Sequence, residues 1–121
     1  MHAIRIPIEV SAIEDSCFEY CRALSNIQLP NGISAIEAKT FMDCDALQKI
    51  ELPEAASAIK EYAFYDCSSL VSASGNNITS ISYNAFYNCQ SLSAVDFPKL
   101  KLIHRGAFTN TDFKHIDLSA V

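Results

Sequence analysis

One short phrase returns along the whole chain and constrains its fold more than any other feature. Its clearest copy is Tyr62-Ala63-Phe64-Tyr65-Asp66-Cys67-Ser68-Ser69-Leu70. A second runs from Tyr83 to Leu92, with Phe86 and Cys89 in the same places. Looser copies hold Phe41, Cys44 and Leu47, and Phe18, Cys21 and Leu24; a fifth, at Ala107-Phe108, has lost the cysteine. The five phenylalanines are spaced 23, 23, 22 and 22 residues apart. Self-similarity at such a period signals a solenoid, because one unit cannot bury its apolar face alone and must stack on copies of itself. The 121 residues therefore read as one repeat domain, residues 1–121,.

The unit extends upstream of the phrase. Ile50-Glu51-Leu52-Pro53 opens one copy, Ala56-Ser57-Ala58-Ile59 follows, and Phe64, Cys67 and Leu70 close it. Read this way, the repeats span 4–26, 27–49, 50–72, 73–94 and 95–115, with a partial sixth at 116–121. The Ile-x-Leu alternation has the period of a strand, and the proline after it ends the ladder. The Ala58-Ile59 type of stretch suits a second, short extended piece; in the first repeat its counterpart is Val10 to Ile13. Ile59, Ala63, Phe64, Cys67 and Leu70 fall at helical offsets, which predicts a short helical turn. In the fifth repeat Phe113 takes the closing leucine position. Stacked strands pair in parallel and turn equivalent positions into columns: Phe18 to Phe108, Ile13 to Ile103 and Leu24 to Leu92,.

Half of the residues are apolar, enough to fill such a core,. The net charge is -5 with Lys and Arg scattered, which argues against a nucleic-acid partner,. No apolar run approaches 18 residues, so membrane insertion is not expected, and the start at Met1 lacks the pattern of a signal peptide,.

The spacing Leu47-Gln48-Lys49-Ile50-Glu51-Leu52-Pro53, followed by Ile59-Lys60-Glu61-Tyr62-Ala63-Phe64-Tyr65-Asp66-Cys67, resembles the BspA-type leucine-rich repeat, L-x-x-I-x-L-P…I-x-x-x-A-F-x-x-C-x-x-L. The resemblance covers essentially the whole chain. It implies a right-handed leucine-rich-repeat solenoid, a horseshoe or arc of short parallel β-strands with short helical turns and about five repeats. The strand sheet lines its concave side. It also implies an extracellular or cell-surface protein that serves adhesion or protein binding. The asparagine ladder of ordinary leucine-rich repeats is missing. The fourth repeat also departs, with Ala73 and Gly75 where the others carry large strand residues. That substitution predicts a kink or a shallow dent in the concave sheet.

No constellation points to catalysis, a cofactor or a metal. Cys21, Cys44, Cys67 and Cys89 share one repeat position and read as a column of small buried thiols,. Disulfides between neighbouring repeats are a second arrangement, because strand spacing lies near the lower end of the allowed Cα range. A column spaced one repeat apart does not converge four ligands on zinc. Cys17 and Cys21, four apart, face each other across a turn. His104 and His115 have no nucleophile at an evident partner position and read as surface residues,.

Two strips are the candidate binding surfaces. The outward strand residues are Arg5, Gln28, Glu51, Ser74, Asp96 and Asp117, flanked by Asn26, Lys49, Ser72, Ala94 and His115. Solenoids use such extended concave surfaces for partners; a merely solvated strand face is the plain alternative. Tyr62, Tyr65, Tyr83 and Tyr87, with Tyr20 and Met42, form an aromatic strip beside the phenylalanines. It reads either as an interface or as cover over the phenylalanine column. Asn77-Ile78-Thr79 is a glycosylation sequon,. Neither flank has a polar capping repeat, so end-to-end self-association through the terminal strands is expected. The functional expectation is a non-enzymatic module with a protein ligand; a structural spacer within a longer surface array is the alternative.

Overall fold

A computed structural model describes residues 2–112. The expected positions Phe113, His115, Asp117 and the partial repeat at 116–121 lie outside the described residues. The described chain is a β-solenoid of parallel strands. Strands β1 (His2–Arg5), β2 (Leu24–Gln28), β4 (Lys49–Glu51), β6 (Ser72–Ser74) and β8 (Ala94–Asp96) open successive coils. Strands β3 (Ala35–Ile36), β5 (Ala58–Ile59), β7 (Ser80–Ile81) and β9 (Leu102–Ile103) form a second wall. All pairings are parallel and keep repeat register, for example Ile50 with Ala73 and Ile59 with Ile81, apart from a one-residue slip between His2 and Ala3 in β1. Val10 to Ile13, expected as the first copy of the second wall, contains no strand.

The second wall is one sheet, ordered β3-β5-β7-β9. The first wall is not. It consists of a pair, β1-β2, and a separate triplet, β4-β6-β8. Neighbouring coils 2 and 3, which carry Phe41 and Phe64, are thus joined in one wall and unladdered in the other.

No helix forms in the Phe-x-x-Cys segment, contrary to the expectation of a helical turn. The reason is a strict alternation of hydrogen bonds. In coil 2 the amides of Thr40, Met42 and Cys44 donate three residues back, to Glu37, Lys39 and Phe41 (3.3, 3.2 and 3.2 Å). The amides between them, Lys39, Phe41 and Asp43, donate to the next coil, at Glu61, Ala63 and Tyr65 (3.1, 2.8 and 2.7 Å). An α-helix needs consecutive residues in one right-handed well, bonded four apart. Here Lys39 (φ 60) and Asp43 (φ 65) are left-handed, and the same pair of positions is left-handed in every coil. The segment is therefore a stack of tight turns. Its inward residues happen to fall at helix-like offsets.

Asp43, Asp66, Asn88 and Asn110 fill the second left-handed position in coils 2 to 5. Asn and Asp tolerate that conformation best among residues with a side chain. At the first position the last coil uses Gly106 (φ 76), where a Cβ would collide with Oδ1 of Asn84. Gly75 is required for a different reason. A Cβ there would lie 2.8 Å from Cγ1 of Ile78 and 3.2 Å from Cβ of Leu52. The fourth repeat does not interrupt the sheet: β6 pairs regularly with both β4 and β8.

The core is a set of columns. Phe41, Phe64 and Phe86 are fully buried. The rings of Phe18, Phe41, Phe64, Phe86 and Phe108 stack with centroids 5.5, 5.3, 5.0 and 5.3 Å apart and planes within 10°. Those separations lie in the favourable range for offset aromatic pairs. Ile36, Ile59 and Ile81 and the leucines Leu47, Leu70 and Leu92 fill the parallel columns beside them.

Candidate functional site

Simple alternation along the strands sets the outward face of the first wall, the face expected to be concave. In β4, Ile50 is buried while Lys49 and Glu51 are exposed on either side. In β2, Ile27 is buried while Asn26 and Gln28 are exposed. Register then brings Glu51, Ser74 and Asp96 into one row, with Lys49, Ser72 and Ala94 beside it. Across the other pair, Arg5 aligns with Gln28, and Nε of Arg5 donates to Oε1 of Gln28 at 3.0 Å. Lys49 and Glu51 form an ion pair at 3.1 Å, with side chains 64% and 70% exposed. A pair so exposed adds little stability, and both charges stay in solvent. Ser72 and Ser74 sit lower than the charged residues that flank them, being half-buried. Asp117 and His115 lie outside the described residues.

The first wall opens into a groove of about 570 Å³ at the boundary of β2 and β4. Its lining includes Arg5, Gln28, Asn31, Lys49, Glu51 and Glu54. The groove follows from the missing ladder between those strands, and a sequence in which both coils read alike gives no sign of it.

The aromatic residues take the turn edge. Tyr65 and Tyr87 stack on each other (5.3 Å, 6°), and Tyr62 tilts against Tyr65 (5.4 Å, 53°). Tyr83 packs against His104 at 4.7 Å. Partial burial, with Asp66 close by, pushes the Tyr65 phenol above its ordinary value. At the start of this edge the guanidinium of Arg22 donates to Asp43 (3.0 Å), approaches Asp45 (3.7 Å) and lies 5.6 Å from the centre of the Tyr20 ring. The hydrogen bond to Asp43 raises the pKa of Arg22. Desolvation and then the Asp43 charge raise that of Asp45.

A side-chain ladder runs beside the tyrosines, one that the sequence did not announce. The Asn88 amide donates to Asp66, and the Asn110 amide donates to Oδ1 of Asn88 at 3.2 Å. Its signal was the recurrence of Asp or Asn two residues after Phe41, Phe64, Phe86 and Phe108, where coil 1 has Tyr20 instead. Another ladder holds the sequon. Nδ2 of Asn77 donates to the main-chain oxygen of Glu54 (2.8 Å) and its carboxylate (3.3 Å), while Lys99 donates to Oδ1 of Asn77 (2.8 Å).

The cysteines form a ladder as well. All five are free thiols, so no disulfide joins the repeats. Sγ of Cys44, Cys67 and Cys89 donates to the main-chain oxygen of Phe18, Phe41 and Phe64 (3.2, 3.1 and 3.0 Å). Burial pushes the Cys44 thiol up to about 12 and raises Cys67 as well. A thiol held protonated in this way is a poor nucleophile and a poor metal ligand. Among the described residues no group of three or more His, Cys, Asp or Glu side chains converges as a metal site. No helix of the described residues is long and apolar enough to cross a membrane.

Comparison with known proteins agrees with this geometry. The family described as BspA type leucine rich repeat region matches residues 1–114 in six copies. The crystal structure of a T. pallidum leucine-rich repeat protein is similar, with 29% identity and a TM-score of 0.84 over 88% of this chain and 53% of that one. A leucine-rich repeat protein from Bacteroides ovatus shares the fold at 20% identity, with a TM-score of 0.53 over 89% of this chain and 46% of that one. The chain spans about half the length of these relatives. No curated protein matches it.

Proposed function

The chain belongs to the BspA-type leucine-rich repeat family, and from that premise we propose that it is a non-enzymatic module for protein–protein interaction or adhesion. We place it in a secreted or cell-surface protein on the strength of the family. The face we assign to the partner is the concave row of Arg5, Gln28, Lys49, Glu51, Ser74 and Asp96.

The observation that carries the proposal is the division of labour within each coil. Phenylalanine, isoleucine, leucine and cysteine positions are nearly constant between coils and are buried. The concave positions differ from coil to coil in charge and size and are exposed or half-buried. A surface that is only solvated needs polarity and nothing more. The Arg5–Gln28 bond, the Lys49–Glu51 pair and the low serines between Glu51 and Asp96 give this one relief and charge order. The buried thiols of Cys67 and Cys89 commit their hydrogens to main-chain oxygens.

The test is alanine substitution at Glu51 and Asp96, singly and together, in the full-length protein. Truncating charges at such a rim lowers the association rate and weakens its salt dependence. Binding of the natural partner should fall by at least about tenfold in the double variant, with unchanged unfolding. If partner binding is indifferent to these and neighbouring concave changes, the module is a spacer as far as this face is concerned.

A further inference from the structure

We propose that the outer face of the Tyr87 ring is a stacking platform for a neutral saccharide, with Thr109 and Asn110 supplying hydrogen-bonding groups at its foot. The site lies on the turn edge and does not depend on the concave-face function above.

One column decides where a ring face is left open. The residues that follow the five phenylalanines are Glu19, Met42, Tyr65, Tyr87 and Thr109. Tyr65 covers one face of Tyr87, with centroids 5.3 Å apart and planes 6° apart. The far face of Tyr87 looks toward coil 5, where register puts Thr109. The amides of Phe86 and Asn88 donate to Ala107 (2.8 Å) and Thr109 (2.9 Å) there. A threonine side chain ends at its γ atoms, well short of the phenol end of a tyrosine ring. Coil 5 therefore leaves a step beside the outer part of Tyr87, one coil deep, about 5 Å. That depth suits a single flat ring packed at van der Waals distance. At the other end of the tyrosine pair the long side chain of Met42 takes the place that Thr109 takes here.

The polar residues beside the column change character at the same place. Two and four residues after the phenylalanine, coils 2 and 3 carry Asp43, Asp45, Asp66 and Ser68, whereas coils 4 and 5 carry Asn88, Gln90, Asn110 and Asp112. Asp112 is the one carboxylate in the second set, and it is half-buried. Oδ1 of Asn88 gathers the side-chain amides of Gln90 (3.1 Å) and Asn110 (3.2 Å). Asn110 keeps a second amide hydrogen to donate and Oδ1 to accept, beside the Thr109 hydroxyl, which does both. Thr109 and Asn110 are exposed.

An open aromatic face bordered by uncharged donors and acceptors fits a sugar ring. A pyranose presents C–H bonds on one face and hydroxyls around its rim. The C–H bonds carry partial positive charge and pack on the negative face of an aromatic ring. The rim hydroxyls both donate and accept, which is what the Asn110 amide and the Thr109 hydroxyl require. A few placed polar groups beside an apolar surface are the usual make-up of a small-molecule site. An organic cation is the other ligand class for an aromatic face, and the change from carboxylates to amides at this end of the edge disfavours it.

NMR titration of the isotope-labelled full chain tests the platform. The probes are the methyl β-glycosides of glucose, galactose and N-acetylglucosamine at millimolar concentration, with tetramethylammonium as the competing cation. At least one glycoside should shift the ring signals of Tyr87 and the amide signals of Thr109 and Asn110, and the shifts should saturate. Tyr87→Phe keeps the ring and should keep the shifts; Tyr87→Ala should lose them. Thr109→Tyr extends the tyrosine stack over the step, so it should also lose them without lowering the urea midpoint. No shifts from any of the three glycosides, shifts that survive Tyr87→Ala or Thr109→Tyr, or a stronger response to tetramethylammonium each overturn the platform. The dependence of the natural partner on Glu51 and Asp96 is read separately, so the platform and the concave-face function fail independently.

Discussion

Sγ of Cys67 donates to the main-chain oxygen of Phe41, one coil back, at 3.1 Å. That oxygen already accepts the amide of Cys44 at 3.2 Å. The pattern repeats one coil on, where Phe64 accepts from Cys67 and Cys89. The recurring cysteine therefore acts as a buried polar tie between coils, small enough to fit beside the stacked rings.

Cys67→Ala should cost about 1–2 kcal/mol, from one lost hydrogen bond and a small cavity. The Phe41 oxygen keeps its second donor, so no orphaned acceptor adds to the loss. Cys67→Ser retains a donor and should cost less. Urea unfolding checks both: the midpoint should fall with the slope unchanged.

The thiols also predict a stability profile. Cys44 is raised from 9.0 to about 12 in the folded state, and Cys67 is raised in the same sense. Their contribution is complete below about pH 9, where both folded and unfolded thiols are protonated. Above that the unfolded state sheds protons that the folded state keeps, so stability falls with rising pH. Denaturation midpoints measured from pH 7 to pH 11 should decline above about 9, and Cys44→Ala should flatten the decline. A thiol reagent at neutral pH should reach Cys17, which is exposed. Cys44, Cys67 and Cys89 should react only on unfolding.

Phe64 sits between Phe41 and Phe86, at 5.3 and 5.0 Å, with no exposed surface. A regular stack collapses poorly around a missing ring, so Phe64→Ala should cost about 3–5 kcal/mol. Phe64→Leu should recover part of that. Calorimetric unfolding of the two variants gives the comparison.

Gly106→Ala should destabilise by about 1–3 kcal/mol, for two reasons that can be separated. One is the left-handed backbone (φ 76), the other the collision with Asn84. Adding Asn84→Ala removes the second and leaves the first. The double variant should therefore unfold later than the sum of the single changes allows.

Much of this architecture was legible because each coil repeats the one before. The phenylalanine, isoleucine and leucine columns follow from spacing alone, and so do the strands at Ile27, Ile50, Ala73 and Val95. The turn segment was misread because Ile59, Ala63, Phe64, Cys67 and Leu70 take the same offsets on a helix and on this stack of turns. The better clue was Asp43, Asp66, Asn88 and Asn110, residues suited to a left-handed backbone at one fixed place. The opening between β2 and β4 had no sequence signal, because Ile27-Gln28-Leu29-Pro30 and Ile50-Glu51-Leu52-Pro53 are near copies. The thiol bonds to Phe18, Phe41 and Phe64 were hidden for a similar reason: burial was readable, the acceptor one coil away was not.

The most direct measurement for the concave-face function is site-specific photo-crosslinking of the full-length protein in its own cells. A photoreactive residue replaces Ser74 in one variant and Glu61, on the exposed turn edge, in another. The account predicts a discrete partner adduct from position 74, reduced when Glu51 and Asp96 are changed to alanine, and none from position 61. Equal labelling from both positions, or no adduct from position 74, would contradict it.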